Sequence, residues 1–397
     1  MALAEIAGFV LVWLAAFSCR TTLVSIGPLL PVFMKQLHLG GFWGGTLTAI
    51  PLLIIAVVSV PSGWIADKVG HRTALAIALG LLTLACIVPS LAGPTKGSLF
   101  LNVALSGLGV GLAQPTLAKV ARGVSPRNPA LPTTLYANGL VTGGLGASLL
   151  AIPLLNHLGH RWPSVFLAWG ILVAITGLGW LFLKTRREPR EISSLPVHNL
   201  PSSSSRPPGL YPIAMGFAAQ GAVFYALVTW LPEYSVHQGW PLAQASLLVA
   251  LLSLGSIVGG VMSPWLLKVG RGFRRPFLGL AVVIGVAVVG LVVLPLLDYF
   301  WAWLAGASTA IVFTLGLAAP ALLSNSKAVG RDSGLLLTVG YIGAVAGPLG
   351  FGALFGATAS GAMFLVAALG LSVGLAALAI PANLGAPVTE PSTAINS

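Results

Sequence analysis

"KTRREPREISSLPVHNLPSSSSRPPG" occupies residues 184–209 and is the longest polar stretch in the chain. It is rich in Ser, Pro and charge, a composition that buries no core and makes a flexible linker. Both sides of it are apolar. Of 397 residues, 56% are hydrophobic and 7% charged, against roughly 25% charged in an ordinary soluble domain. Such a chain cannot cover a folded surface with polar groups, so it describes a membrane protein.

The N-terminal side holds apolar runs near 7–34, 42–65, 73–93, 98–120, 132–156 and 162–183. The C-terminal side holds runs near 209–232, 243–267, 276–297, 299–324, 334–356 and 360–381. Each accommodates the roughly 20 residues that a helix needs to cross a bilayer. The runs are continuous rather than alternating, which excludes a β-barrel. The expected fold is an all-α membrane protein with twelve transmembrane helices in two six-helix bundles. The bundles span 1–183 and 209–382, joined by a linker at 184–208 and followed by a tail at 383–397. No basic segment precedes the first run, so it reads as a spanning helix rather than a cleaved leader.

The formal net charge is +12, and its distribution decides its meaning. With the N-terminus inside, the inner connections hold Lys68, Arg72, Lys119, Arg122, Arg127, the five basic residues of 184–206, Lys268, Arg271, Arg274, Arg275, Lys327 and Arg331. The outer connections hold Lys35, Lys96 and Arg161. This bias places both termini and the linker in the cytoplasm of a multi-pass inner-membrane protein. It accounts for the basic balance without nucleic acid. Cys19 and Cys86 fall in different apolar runs and imply no disulfide framework. The six histidines lie at run ends or in connections, without metal-ligand spacing. No phosphate-cradling loop and no nucleophile–base pair stands out, so neither a cofactor nor a catalytic residue is expected.

The two sides echo each other. "ADKVGHR" at 66–72 pairs with "LLKVGRG" at 266–272, and "GLAQP" at 111–115 with "GLAAP" at 316–320. "GPLLP" ending at Pro31 pairs with "TWLP" ending at Pro232. Parallel halves of six spans imply a transporter with its site at mid-membrane between them.

"GWIADKVGHR" at 63–72 resembles the loop signature of the major facilitator superfamily, carried by Gly63, Asp67, Lys68, Gly70 and Arg72. The resemblance implies the major facilitator fold and alternating access. It also implies that Gly63, Asp67, Gly70 and Arg72 form a cytoplasmic latch between the halves in the outward-open state. The physics suits a tight turn: Gly70 tolerates a backbone closed to bulkier residues, and Asp67 is an anion suited to a helix N-terminus. The second copy has Leu267 in place of the acid, so the latch is one-sided. The plainer reading is a basic turn that obeys the positive-inside rule. More narrowly, "RTTLVSIGPLLP" at 20–31 and "GFAAQGAVFYALVTWLP" at 216–232 are similar to the first and seventh helices of the cyanate and 2-nitroimidazole transporter family. That family commonly has Pro after the Arg, where this chain has Thr21. The resemblance implies a small anion or a small polar heterocycle as substrate.

Arg20 lies in the middle of the first run. A guanidinium there costs roughly 2.5–3.5 kcal/mol on insertion scales, so it needs a partner. The eight acids are Glu5, Asp67, Glu188, Glu191, Glu233, Asp298, Asp332 and Glu390, each at a span end, in a loop or in a tail. Backbone carbonyls or water are one way to satisfy Arg20. The other is a substrate anion, which its planar donor fork suits. Gln220 lies twelve residues before Pro232 and Arg20 eleven before Pro31, which sets the two opposite each other across the repeat. Phe17 and Phe224 would wall the site, and Gln114, Tyr136, Asn138 and Tyr341 are further polar candidates. Interhelical hydrogen bonding or plain packing is the alternative for each of them. Trp230 and Tyr234 read as part of an aromatic belt.

The expected function is a secondary active or facilitative transporter of a small anion, with no enzymatic activity. A cyanate-like ion or a small carboxylate fits, and a monomer suffices. Without a carboxylate at mid-membrane, transport is by facilitated diffusion, by exchange, or with a proton carried on the substrate. The second reading is an exporter of nitroimidazole-like heterocycles through an apolar cavity. A membrane enzyme or non-transporting receptor is the third, and no residues supply its chemistry.

Overall fold

The computed structural model describes residues 3–124, 130–182, 207–270, 272–324, 329–382 and 384. Its α-helices are α1 (Leu3–Val24), α2 (Ile26–Leu37), α3 (Gly41–Val69), α4 (His71–Leu91), α5 (Lys96–Val124), α6 (Ala130–His157) and α7 (Trp162–Phe182). After the linker come α8 (Leu210–His237), α9 (Leu242–Val269), α10 (Arg274–Val293), α11 (Asp298–Leu323), α12 (Val329–Phe355) and α13 (Ala359–Leu378). Twelve spans are long and apolar enough to cross a membrane, α1 and α2 together making the first over Ile6–Leu37. Most of the linker and tail lies outside the described residues.

The first span is interrupted at Ser25 for a local reason. Pro28 has no N–H, so the carbonyl of Val24 loses its helical donor. The Ser25 hydroxyl turns back to the Thr21 carbonyl at 2.7 Å. Helix α2 then resumes with a long bond of 3.3 Å from Leu29 N to Ser25 O.

Within the first half, α1 packs on α5, α6 and α7, and α4 packs on α5 and α7. Within the second, α8 packs on α11, α12 and α13, and α10 on α13. Small residues let these helices approach. Gly139 and Gly143 of α6 lie against the backbone of Trp13 and Phe17, and Gly146 lies against the Phe17 ring. Close packing of this kind replaces the hydrophobic drive that helices lack in lipid.

The halves meet through α2 on α8, α3 on α12 and α6 on α9. The tightest approaches gather at the end that carries the α2–α3 and α8–α9 connections. A Cβ on Gly27 would strike the carbonyl oxygen of Val228, and one on Gly45 that of Pro348. Gly41 and Gly352 lie against each other's carbonyls. Trp230 departs from the expected aromatic belt. It is fully buried, stacks on Phe351 at 5.3 Å and donates its Nε1–H to the Pro348 carbonyl at 3.0 Å. Gly44 and Gly352 border the indole and make the room for it. Tyr234 is likewise buried.

Candidate functional site

Directly below that seal, Arg20 and Tyr225 face each other across the two halves. Arg20 sits on α1, five residues before the interruption, and its Nη1–H donates to the Tyr225 hydroxyl at 3.4 Å. That is long for a hydrogen bond to oxygen, whose usual N···O distance is about 2.9 Å. Tyr341 of α12 and Tyr136 of α6 also lie within electrostatic reach of the guanidinium. Tyr341 crosses from the second half to pack against a first-half cluster that includes Cys19, Ile55 and Val110. Among the described residues Arg20 forms no ion pair, and a guanidinium has five N–H groups to place.

A narrow cavity opens beside it, with about 20 Å³ of space accessible to a water-sized sphere. Leu23, Val24, Pro51, Leu52 and Val228 make its apolar walls, and Arg20, Tyr225, Thr48 and Thr229 supply the polar groups. The roof is a pair of threonines, one from each half, with oxygens 2.9 Å apart. Thr229 Oγ1 is also 2.7 Å from the Tyr225 carbonyl. A hydroxyl has one proton, so Thr229 donates to that carbonyl and Thr48 donates to Thr229. Pro232, lacking an N–H, leaves the Val228 carbonyl without its helical donor. That oxygen rests on Gly27 of the other half.

The remaining candidates are dispersed. Gln220 is 3% exposed, its Oε1 has no hydrogen-bond partner, and it is not among the residues lining this cavity. Phe224 meets the Tyr225 ring edge-on at 5.4 Å. Phe17 packs on Trp13 at 5.2 Å and on Trp169 at 6.4 Å, which places it in the packing of α1 with α6 and α7. Asn138 accepts a 3.1 Å bond from Trp13 Nε1. Gln114 is half-buried on α5. Tyr225 is the residue that sequence reasoning missed. It stands beside Phe224 in the quoted seventh run, and its position four residues before Thr229 puts the two on one helix face.

In the latch segment, Gly70 has φ +85°, a conformation that favours glycine. Arg72 donates to the carbonyls of Trp180 and Leu181 at the C-terminal end of α7. It therefore caps a helix of its own half, where the dipole favours a cation. The surroundings of Gly63 and Asp67 lie outside the described residues.

A bundle of twelve spans in two halves, with a cavity between them, has the architecture of a membrane carrier. The Major Facilitator Superfamily model matches residues 12–348, and the chain belongs to that family. It is accordingly a multi-pass transport protein and not an enzyme. Similar proteins include the cyanate transport protein CynX of Escherichia coli, 27% identical over 310 residues, covering 77% of this chain and 78% of that one. The 2-nitroimidazole transporter of the same organism is 27% identical over 346 residues, covering 86% of each. The benzoate transport protein of Acinetobacter baylyi is 24% identical over 377 residues, covering 82% and 78%. In fold, the chain is similar to a bacterial homologue of the human lysosomal transporter Spinster in an inward-facing, unoccupied conformation. The TM-score is 0.72 at 18% identity, with 96% and 95% covered.

Proposed function

We propose that the protein carries a small monovalent anion across the inner membrane by alternating access, with Arg20 as the group that reads its charge. The observation that carries this reading is a guanidinium at a cavity between the halves with no acidic partner among the described residues. One fixed positive charge matches one negative charge, so the substrate is a monoanion. Arg20 offers a planar fork suited to a carboxylate or other flat anion, with Tyr225, Tyr136 and Tyr341 as neutral hydroxyl donors around it. The apolar walls suit an anion with a small hydrophobic body, and cyanate and benzoate transport by relatives supports the class. The bundles at 1–183 and 209–382 are the moving units, with termini and linker cytoplasmic. Closure at the α2–α3 end then makes this an inward-facing arrangement.

A second reading has one observation in its favour. The cavity walls are mostly apolar, and a 2-nitroimidazole transporter is among the relatives. In that case Arg20 donates hydrogen bonds to a neutral ring.

The test is initial uptake of labelled benzoate, cyanate and 2-nitroimidazole into proteoliposomes, for the wild type and Arg20→Gln. Anion uptake that the substitution abolishes supports the first reading. Uptake confined to the heterocycle and surviving the substitution supports the second and contradicts the first.

A further inference from the structure

Resting on the reading of Arg20 as the anion site, we infer that this carrier is an anion exchanger. It changes face readily with an anion bound and slowly without one.

The charges in and around the cavity lead to this. Arg20 cannot lose its proton at physiological pH, so its charge is permanent. Its one hydrogen-bond partner among the described residues is the Tyr225 hydroxyl. The other polar groups lining the cavity are the hydroxyls of Thr48 and Thr229, which do not ionise. The described acids stand elsewhere, at helix ends. Glu233 is near the end of α8, Asp298 is the first residue of α11, and Asp332 sits in the first turn of α12. There Asp332 accepts a 2.7 Å bond from Ser324. Among the described residues, no carboxylate lines the cavity to cancel the charge of Arg20 or to take up a proton in step with an anion.

Alternating access requires that the open end close before the sealed end parts. The seal over Arg20 is built from backbone contacts at Gly27, Gly41 and Gly45 and from the Thr48–Thr229 pair. Once the second end also closes, the guanidinium is cut off from bulk water. An enclosed charge is costly unless it is paired. A bound monoanion pairs it, whereas the phenols offer only dipoles. The loaded carrier therefore crosses the occluded state with a neutral site, and the unloaded one crosses it with a bare cation. Return in the loaded form is the faster route, and one monoanion for another moves no net charge.

The experiment is efflux from proteoliposomes of wild-type protein preloaded with labelled benzoate, and separately with labelled cyanate. Dilution is into medium containing either the same anion unlabelled or gluconate. The expected result is efflux at least tenfold faster into the matching anion, at a rate unchanged by a potassium–valinomycin potential. Arg20→Lys keeps the charge and should keep the acceleration. In Arg20→Gln any residual flux should be the same in both media, with protein folding checked by thermal melting. Equal wild-type efflux into both media overturns exchange and leaves the anion site standing. No efflux of either label from folded wild-type protein overturns both the exchange and the anion reading beneath it.

Discussion

At the residue scale, Arg20 and Tyr225 are the two ends of one interaction, and they were not equally legible. Arg20 is visible because a charge in mid-span has no acid to meet, a matter of counting. Tyr225 depends on the rotation of α8. Adjacent residues on a helix point about 100° apart, and a run of apolar letters does not say whether Phe224 or Tyr225 faces the partner half. Counting back from the prolines placed Gln220 opposite Arg20. That count assumes both helices keep one phase, but the first span breaks at Ser25, between Arg20 and Pro31. Five residues separate Gln220 from Tyr225, about 140° around the helix, and Gln220 is buried and not among the residues lining the cavity. Tyr225→Phe should weaken anion binding by about tenfold or less. One hydrogen bond contributes about 0.5–1.5 kcal/mol, and 1.4 kcal/mol corresponds to tenfold. An affinity unchanged in an isotherm would remove Tyr225 from the site.

At the element scale, the spans themselves were legible from length and hydropathy, while their joints were not. The break at Ser25 follows from Pro28 only once the neighbouring carbonyl is considered. The burial of Trp230 depends on space left by Gly44 and Gly352, which come from two other helices, so no local pattern announces it. The seal between α3 and α12 consists of backbone against backbone at Gly41, Gly45, Pro348 and Gly352. A side chain on α3 there should keep that end from closing. In a Thr48→Cys background, Gly45→Leu should speed labelling by an impermeant thiol reagent from outside by about tenfold. The native cysteines are buried and should stay silent. Unchanged labelling would mean that the seal is formed elsewhere. Within the first half, Gly143 touches the backbone of Phe17. Gly143→Leu should destabilise by about 1–3 kcal/mol, the usual cost of overpacking, seen as a lowered melting temperature. An unaltered melting temperature would show that α6 can shift freely.

At the scale of the whole molecule, the count of twelve spans follows from composition and hydropathy, and the polar stretch at 184–209 marks where the expected division falls. The proposed orientation rests on the bias of Lys and Arg. A cysteine introduced as Ser204→Cys should react with an impermeant reagent only after the cells are permeabilised. Reaction in intact cells would reverse the proposed topology. Which end is closed could not be read from the sequence. Both ends carry small residues and prolines, and closure depends on contacts between residues hundreds of positions apart, such as Gly41 with Gly352. The exchange mode belongs to this scale too, because it concerns what the two halves enclose when they move together.

Whether Arg20 reads the charge of the substrate can be measured through the thermal stability of the purified protein. Wild type and Arg20→Gln would be melted with benzoate, cyanate and 2-nitroimidazole. A ligand at 100 times its dissociation constant stabilises by about 2.7 kcal/mol. An anion should raise the wild-type melting temperature and leave the folded variant unmoved. Equal stabilisation of both proteins by the anions, or stabilisation by the neutral heterocycle alone, would contradict it.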